Sequence, residues 1–229
     1  MEISGFVKSS LIDYPQKVAA VVFTQGCNFK CGFCHNPKLI VSKEGTVAEK
    51  EVIDLLTIRQ GKLDGVVITG GEPTVQKDLI RFIKEVKSMG YLVKLDTNGT
   101  DPKILKKLID DKLVDYVAMD IKGPPDSYIE ITGFMNTKVI QTSIDILKES
   151  DVDYEFRTTV LPFYHGIKDF GIVGEMLRGA TLYTIQGFRP EITFDKKLES
   201  EPPFKQIELE KIARIMKKYV KNVNIHANL

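Results

Sequence analysis

The chain has 229 residues, of which 43% are hydrophobic and 28% are charged, and its formal net charge is +1. This composition suits one globular α/β domain with an ordinary buried core. The charges are mixed in sign, so no broad basic face is indicated and we expect no nucleic-acid partner. No uninterrupted apolar stretch of about 18 residues occurs, which argues against a membrane span. The first residues lack the regions of a signal peptide, and we expect a cytoplasmic protein.

Apolar runs of strand length alternate with helical patterns along the chain, which predicts a parallel sheet with helical crossovers. The predicted strands are 18–24, 65–69, 91–95, 114–119, 153–160 and 182–186, with a short strand at 223–225. The predicted helices are 46–56, 77–89, one beginning near Pro102, 138–148, 167–177 and 207–220. We predict one domain over 1–229, which ends in a helix and a short strand at 205–226. The rhythm alone leaves open a full barrel, a partial barrel or a flat doubly wound sheet.

All three cysteines lie in one loop after the first predicted strand, as Cys27, Cys31 and Cys34 in the pattern C-x3-C-x2-C. Thiolates suit iron, and a short loop lets several sulfurs reach one cluster at low entropic cost. An ordinary four-iron cluster or a tetrahedral zinc site would need a fourth protein ligand. The pattern therefore predicts a metal position that is open to an exogenous ligand. The alternatives are a zinc site completed by His35 and a set of buried thiols.

Unusual polar residues follow the predicted strands at their carboxyl ends, where ligands bind in barrels and in open α/β sheets. Gly70-Gly71-Glu72-Pro73 follows the second strand, and its glycines permit a close backbone approach to a ligand. Asp96-Thr97-Asn98-Gly99 follows the third strand, and Asp120 and Lys122 follow the fourth. Taken singly, these segments could be turns or a surface ion pair. Together they predict one site.

The cysteine loop, residues 25–37 with Phe33 before the last cysteine, resembles the signature loop of the radical S-adenosylmethionine (SAM) enzymes. This resemblance implies an α/β fold, a parallel-stranded partial (β/α)6 TIM-like barrel. It implies that Cys27, Cys31 and Cys34 hold one [4Fe–4S] cluster whose free iron binds SAM. One electron from the cluster would cleave SAM to methionine and a 5′-deoxyadenosyl radical, which abstracts a hydrogen atom. The three cysteines would then be both metal ligands and catalytic residues.

The segments after the second to fourth strands resemble the GGEP, DTNG and DxK motifs of glycyl radical enzyme activating enzymes within that family. We expect Glu72 to accept a hydrogen bond from the SAM ammonium group. The resemblance also implies a monovalent cation near Asp96, Thr97 and Asp120, since hard cations prefer oxygen ligands. The predicted SAM-binding residues are Phe33, Gly70, Gly71, Glu72, Pro73, Asp96, Thr97, Asn98, Asp120, Lys122, Arg157 and Gln186. Some activating enzymes have a histidine near the position of Gln186.

No cysteine follows Cys34, which argues against family members with auxiliary clusters. The segment Asp13-Tyr14-Pro15-Gln16 is most similar to the activating proteins of anaerobic ribonucleoside-triphosphate reductase. The resemblance thus implies an oxidoreductase that removes a glycine Cα hydrogen from such a partner, with a flavodoxin or ferredoxin as electron donor. The alternatives are an activator of a pyruvate formate-lyase-like enzyme and a small-molecule enzyme such as a 7-carboxy-7-deazaguanine synthase. A non-catalytic iron–sulfur or zinc module is a third class.

Overall fold

A computed structural model describes residues 1–41 and 45–227, which contain eight β-strands and seven α-helices. The strands are β1 (Ile3–Ser10), β2 (Ala19–Thr24), β3 (Gly65–Gly70), β4 (Leu92–Thr97), β5 (Tyr116–Asp120), β6 (Asp153–Val160), β7 (Leu182–Gly187) and β8 (Asn222–His226). The helices are α1 (Glu49–Ile58), α2 (Leu79–Ser88), α3 (Pro102–Asp110), α4 (Tyr128–Thr132), α5 (Thr137–Glu149), α6 (Asp169–Met176) and α7 (Gln206–Met216). All seven predicted strands and all six predicted helices are confirmed, whereas β1 and α4 were not predicted.

The described chain divides into two compact units, and the first comprises residues 1–28, 38–118 and 151–153. In this unit β1 pairs antiparallel with β2, while β2 with β3 and β3 with β4 pair in parallel. The strands lie in chain order. The β2 and β3 residues are almost all buried, as their apolar sequences predict for strands covered on both faces.

Tyr14 belongs to the core of the first unit, where it packs with Ala19, Val21 and Val67. Its ring centroid lies 6.0 Å from that of Tyr116. The Asp13-Tyr14-Pro15-Gln16 segment therefore includes a residue with a packing role in this fold.

Local interactions explain where two helices of the first unit begin. Val47 forms an isolated antiparallel bridge with Ile3, and α1 accordingly begins at Glu49 instead of at the predicted residue 46. The Asp101 side chain accepts hydrogen bonds from the first turn of α3, whose first residue is Pro102. The helix thus begins at the predicted proline, and the Asp101 cap fixes the end of the loop that leaves β4.

The second unit comprises residues 29–37, 119–150 and 154 onward. Here β6, β7 and β8 pair in parallel in chain order. The Ile121 amide donates to the Arg157 carbonyl at 2.7 Å where β5 ends, which aligns that end with β6. Among residues 1–41 and 45–227, no helix is long and apolar enough to cross a membrane. The single domain over 1–229 stays a prediction.

Candidate active site

In the first unit, Glu72 is a buried carboxylate, only 1% exposed, in the loop that follows β3. Its Oε1 accepts hydrogen bonds from the Thr74 amide at 3.0 Å and from the hydroxyls of Thr74 and Thr97 at 2.6 and 2.7 Å. Its Oε2 accepts from the Asn98 amide at 2.6 Å. Burial raises the pKa of Glu72, and these hydrogen bonds act in the opposite direction. Glu72 thus joins the loops that follow β3 and β4.

The two glycines before Glu72 are required by close backbone packing. A Cβ on Gly71 would lie 2.0 Å from the Gly26 carbonyl oxygen, and one on Gly70 would lie 2.4 Å from the Thr24 amide nitrogen. Gly70 also has a φ of +108°, which a residue with a side chain rarely adopts. These glycines therefore bring the β3 loop against the segment that leads into Cys27.

Asn98 lies in a triangle of side-chain hydrogen bonds with Asn28 and Thr100. Its Nδ2 donates to Asn28 Oδ1 at 2.8 Å, and its Oδ1 accepts from the Thr100 hydroxyl at 2.7 Å. Asn28 Nδ2 in turn donates to Thr100 Oγ1 at 2.7 Å. Asn28 directly follows Cys27 in the sequence, so the triangle ties the start of the cysteine loop to the loop after β4.

Asp96 is paired with a lysine that sequence reasoning missed. Lys94 Nζ lies 2.6 Å from Asp96 Oδ1, and the Lys94 side chain is only 3% exposed. The two residues are two apart in β4, so they point to the same face of the strand. The ammonium group supplies a positive charge at the carboxylate for which we predicted a monovalent cation.

In the second unit, Asp120, Lys122 and Arg157 form one mostly buried ion-pair group. Arg157 Nε donates to Asp120 Oδ1 at 2.9 Å, and Lys122 Nζ lies 3.2 Å from Asp120 Oδ2. Burial disfavours the Asp120 carboxylate, but the two positive charges outweigh this effect and lower its pKa to about 2. Two positively charged side chains thus contact one carboxylate in this unit.

Two of the cysteines lie near this positive charge. The Cys34 amide donates to the Cys31 carbonyl at 3.1 Å, so the two thiols are carried by one tight turn. Burial raises the pKa of the Cys31 thiol to about 11, and Lys122 acts to lower it. Lys122 Nζ lies 5.9 Å from the ring centroid of Phe33, which also contacts the Tyr164 ring edge-on.

The chemistry of these residues fits the cluster that the cysteine spacing implies. Thiolate ligands are negatively charged, and the positive charge of Lys122 in the second unit favours them at Cys31 and Cys34. Within residues 1–41 and 45–227, no group of three or more His, Cys, Asp or Glu side chains is already arranged to hold a metal ion. The assignment of Cys27, Cys31 and Cys34 as ligands therefore rests on their spacing and on the family.

The remaining candidates have weaker or unexpected surroundings. Gln186 Oε1 accepts a long hydrogen bond from the Thr159 hydroxyl, at 3.4 Å. Among the described residues, no other side chain donates to it. His35 lies edge-on against the Phe188 ring, with centroids 6.1 Å apart. His165 lies in the loop after β6 and is only 2% exposed. Nothing in a single sequence signals the partners of His165, Lys94 or Asn28, because they depend on tertiary contacts.

Comparison with known proteins agrees with these motifs. Residues 21–170 match the family described as the Radical SAM superfamily. A protein of Methanocaldococcus jannaschii that carries the name of a glycyl-radical enzyme activating enzyme is 38% identical over 97% of this chain and 95% of its own length. A pyruvate formate-lyase-activating enzyme of Listeria monocytogenes is 31% identical over 62% of each chain.

Solved structures show the same fold at low sequence identity. Streptococcus suis SuiB bound to the precursor peptide SuiA gives a TM-score of 0.71 at 13% identity, over 89% of this chain and 48% of SuiB. TYW1 with a lysine-pyruvate adduct gives 0.63 at 19% identity, over 87% of this chain and 73% of TYW1. The predicted fold class, the parallel-stranded α/β fold of the radical SAM type, is confirmed.

Proposed function

The chain belongs to the radical SAM superfamily, and on that premise we propose that it activates a glycyl radical enzyme. The observation that carries this proposal is the 38% identity to the M. jannaschii relative, because it extends over 97% of this chain. The family implies a [4Fe–4S] cluster and SAM, and this chain has three cysteines in the matching pattern. The reaction would be the removal of a Cα hydrogen from one glycine of the partner.

We propose that Cys27, Cys31 and Cys34 hold the cluster and that SAM binds beside them. When bound, these groups supply one-electron cleavage of SAM to methionine and a 5′-deoxyadenosyl radical. The protein's part is to bind and orient. Lys122 and Arg157 both contact Asp120, and cationic side chains of this kind are suited to bind the carboxylate end of an amino acid. Glu72 keeps the loops after β3 and β4 in a fixed arrangement.

The remaining predicted contacts stay proposals with different degrees of support. Phe33 and the glycines Gly70 and Gly71 lie in the loops described above, whereas Gln186 makes one weak contact. The monovalent cation receives no support from the described residues, since Asp96 is paired with Lys94 and Asp120 with two protein cations. The cation is tested separately by measuring SAM cleavage in a buffer free of sodium and potassium, with and without added potassium.

We propose anaerobic ribonucleotide reductase as the partner, a flavodoxin or ferredoxin as the electron donor, and the cytoplasm as the location. The choice of partner rests on Asp13-Tyr14-Pro15-Gln16, and the burial of Tyr14 gives part of that segment a packing role as well. A pyruvate formate-lyase-like enzyme is the second candidate partner, because a pyruvate formate-lyase-activating enzyme is 31% identical over 62% of this chain.

Anaerobic EPR spectroscopy tests the proposal. The reduced, cluster-loaded protein is mixed with SAM and, in separate samples, with an anaerobic ribonucleotide reductase or a pyruvate formate-lyase-like enzyme. We expect a glycyl radical signal with the reductase, none with Cys31→Ala, and an unchanged yield with the exposed-helix control Thr142→Val. A glycyl radical signal with only the pyruvate formate-lyase-like enzyme would show that this enzyme type is the partner. SAM cleavage without a glycyl radical in either sample would contradict the proposed activating function.

A further inference from the structure

Lys122 has a main chain that is held on both sides by buried side chains. Its amide donates to the Tyr128 hydroxyl oxygen at 3.1 Å, and its carbonyl oxygen lies 2.8 Å from His165 Nε2. Tyr128 is fully buried and His165 is 2% exposed. The peptide groups of Lys122 are therefore fixed by two side chains from outside the strand ladder.

The His165 imidazole is held at both of its nitrogens. The Lys122 carbonyl can only accept, so Nε2 donates to it, while Nδ1 lies 3.2 Å from both the amide nitrogen and the carbonyl oxygen of Leu161. The imidazole also packs against the Phe170 ring, with centroids 6.0 Å apart. His165 thus spans from the end of β6 to the turn after β5 in one defined orientation.

That turn has little room to move. A Cβ on Gly123, the residue after Lys122, would lie 2.9 Å from Ile131 Cδ1 and 3.6 Å from His165 Nε2. A residue with a side chain would therefore not fit at position 123 between α4 and the imidazole. The Lys122 side chain starts from this fixed backbone and ends between Asp120 and the face of Phe33.

We propose that His165 is a positioning residue that holds the Lys122 carbonyl, and through it the Lys122 ammonium group, in the place required to bind SAM. This inference rests on the proposed function, because it takes Lys122 as a SAM contact. His165 itself need not touch SAM. Its loss would leave the buried Lys122 carbonyl without its donor and would free the turn.

Two conservative substitutions separate this role from general packing. In His165→Gln the side-chain amide nitrogen can take the place of Nε2 and still donate to the Lys122 carbonyl. In His165→Asn the shorter side chain can still bond to the Leu161 backbone near the position of Nδ1, but it cannot reach Lys122. The measurement is the dissociation constant of SAM from the cluster-loaded protein, by equilibrium binding without turnover. We expect a loss of about tenfold for His165→Asn and less than about threefold for His165→Gln.

A double-mutant cycle with Lys122→Met shows whether the effect passes through Lys122. We expect His165→Asn to weaken SAM binding further by less than about twofold in that background. If it again weakens binding about tenfold, or if Gln and Asn at residue 165 bind SAM equally, the inference is overturned. Should His165→Asn fail to fold, Tyr128→Phe removes the other contact to Lys122, and the same selective loss is expected.

Hydrogen exchange keeps the test independent of the proposed function. In the cluster-free protein, the amides of residues 121–123 should exchange faster in His165→Asn than in His165→Gln. Equal exchange rates would overturn the anchoring of Lys122. A wild-type protein that binds the cluster but not SAM would contradict the proposed function, and with it the role of Lys122, whatever the exchange rates show.

Discussion

At the scale of single residues, Glu72 shows that a motif carboxylate can have a structural role. Each of its oxygens accepts a backbone amide, Thr74 at Oε1 and Asn98 at Oε2, besides two hydroxyls at Oε1. A hydroxyl can rotate to offer a lone pair, but a backbone amide can only donate. A carboxyl group, which offers an oxygen acceptor at both positions, therefore satisfies both amides.

Glu72→Gln should lower the free energy of unfolding by about 1–3 kcal/mol, because either orientation of the new amide places an NH₂ group against a backbone N–H. Chemical denaturation of the cluster-free protein measures this. Glu155→Gln is the matched control. Glu155 is also buried, but its hydrogen-bond donor in the described residues is the Thr184 hydroxyl, which can rotate. Equal effects of the two substitutions would contradict this account of Glu72.

His165 makes a prediction about pH. Burial lowers its pKa below the usual value of 6.5, while Asp169 and the hydrogen bonds act in the opposite direction and Lys122 adds to the lowering. The unfolded chain therefore binds the proton more readily than the folded one. The stabilisation from neutral His165 is fully present above the unfolded pKa and is lost as the pH falls through the folded pKa.

Unfolding free energies between pH 8 and pH 5 check this sign. We expect the wild-type protein to lose stability more steeply than His165→Gln as the pH falls below about 6.5. Thr142→Val, at an exposed position in α5, should follow the wild-type curve. Parallel curves for wild type and His165→Gln would show that His165 titrates alike in the folded and unfolded states.

At the scale of elements, the strands buried on both faces were predictable and the half-exposed edge strand was not. The apolar, β-branched residues of β2 and β3 predict short buried strands. By contrast, β1 is half-exposed and contains Gly5 and polar residues, so its sequence does not indicate a strand. Similarly, α1 begins later than predicted because a distant residue, Ile3, pairs with Val47. Contacts far apart in sequence limited the prediction of boundaries.

Helix α6 offers a matched pair of glycines for a packing test. A Cβ on Gly171 would meet only Tyr219 Oη at 4.0 Å, whereas one on Gly174 would lie 2.3 Å from Tyr219 Cδ2. Gly171→Ala should therefore raise the unfolding free energy by about 0.5–1 kcal/mol through helix propensity. Gly174→Ala should lower it by about 1–3 kcal/mol because the site becomes overpacked. Thermal unfolding distinguishes them, and the same sign for both would mean that Tyr219 moves aside freely.

At the scale of the whole molecule, the family and the fold class were predictable from the sequence, whereas the contacts that support the site were not. The cysteine pattern and the motifs after β3, β4 and β5 were enough to predict the family and the fold class, because each has a fixed place after a strand. The supporting contacts of Lys94, Asn28 and His165 come from other parts of the chain. They depend on the folded backbone, so a single sequence could not reveal them.

The central claim is that three cysteines bind one [4Fe–4S] cluster with an iron position open to SAM. The most direct test is the EPR spectrum of the reduced, reconstituted protein, recorded anaerobically with and without SAM. The account predicts a cluster signal that changes when SAM is added and that is lost in Cys27→Ala, Cys31→Ala and Cys34→Ala. A cluster signal that SAM leaves unchanged would contradict it.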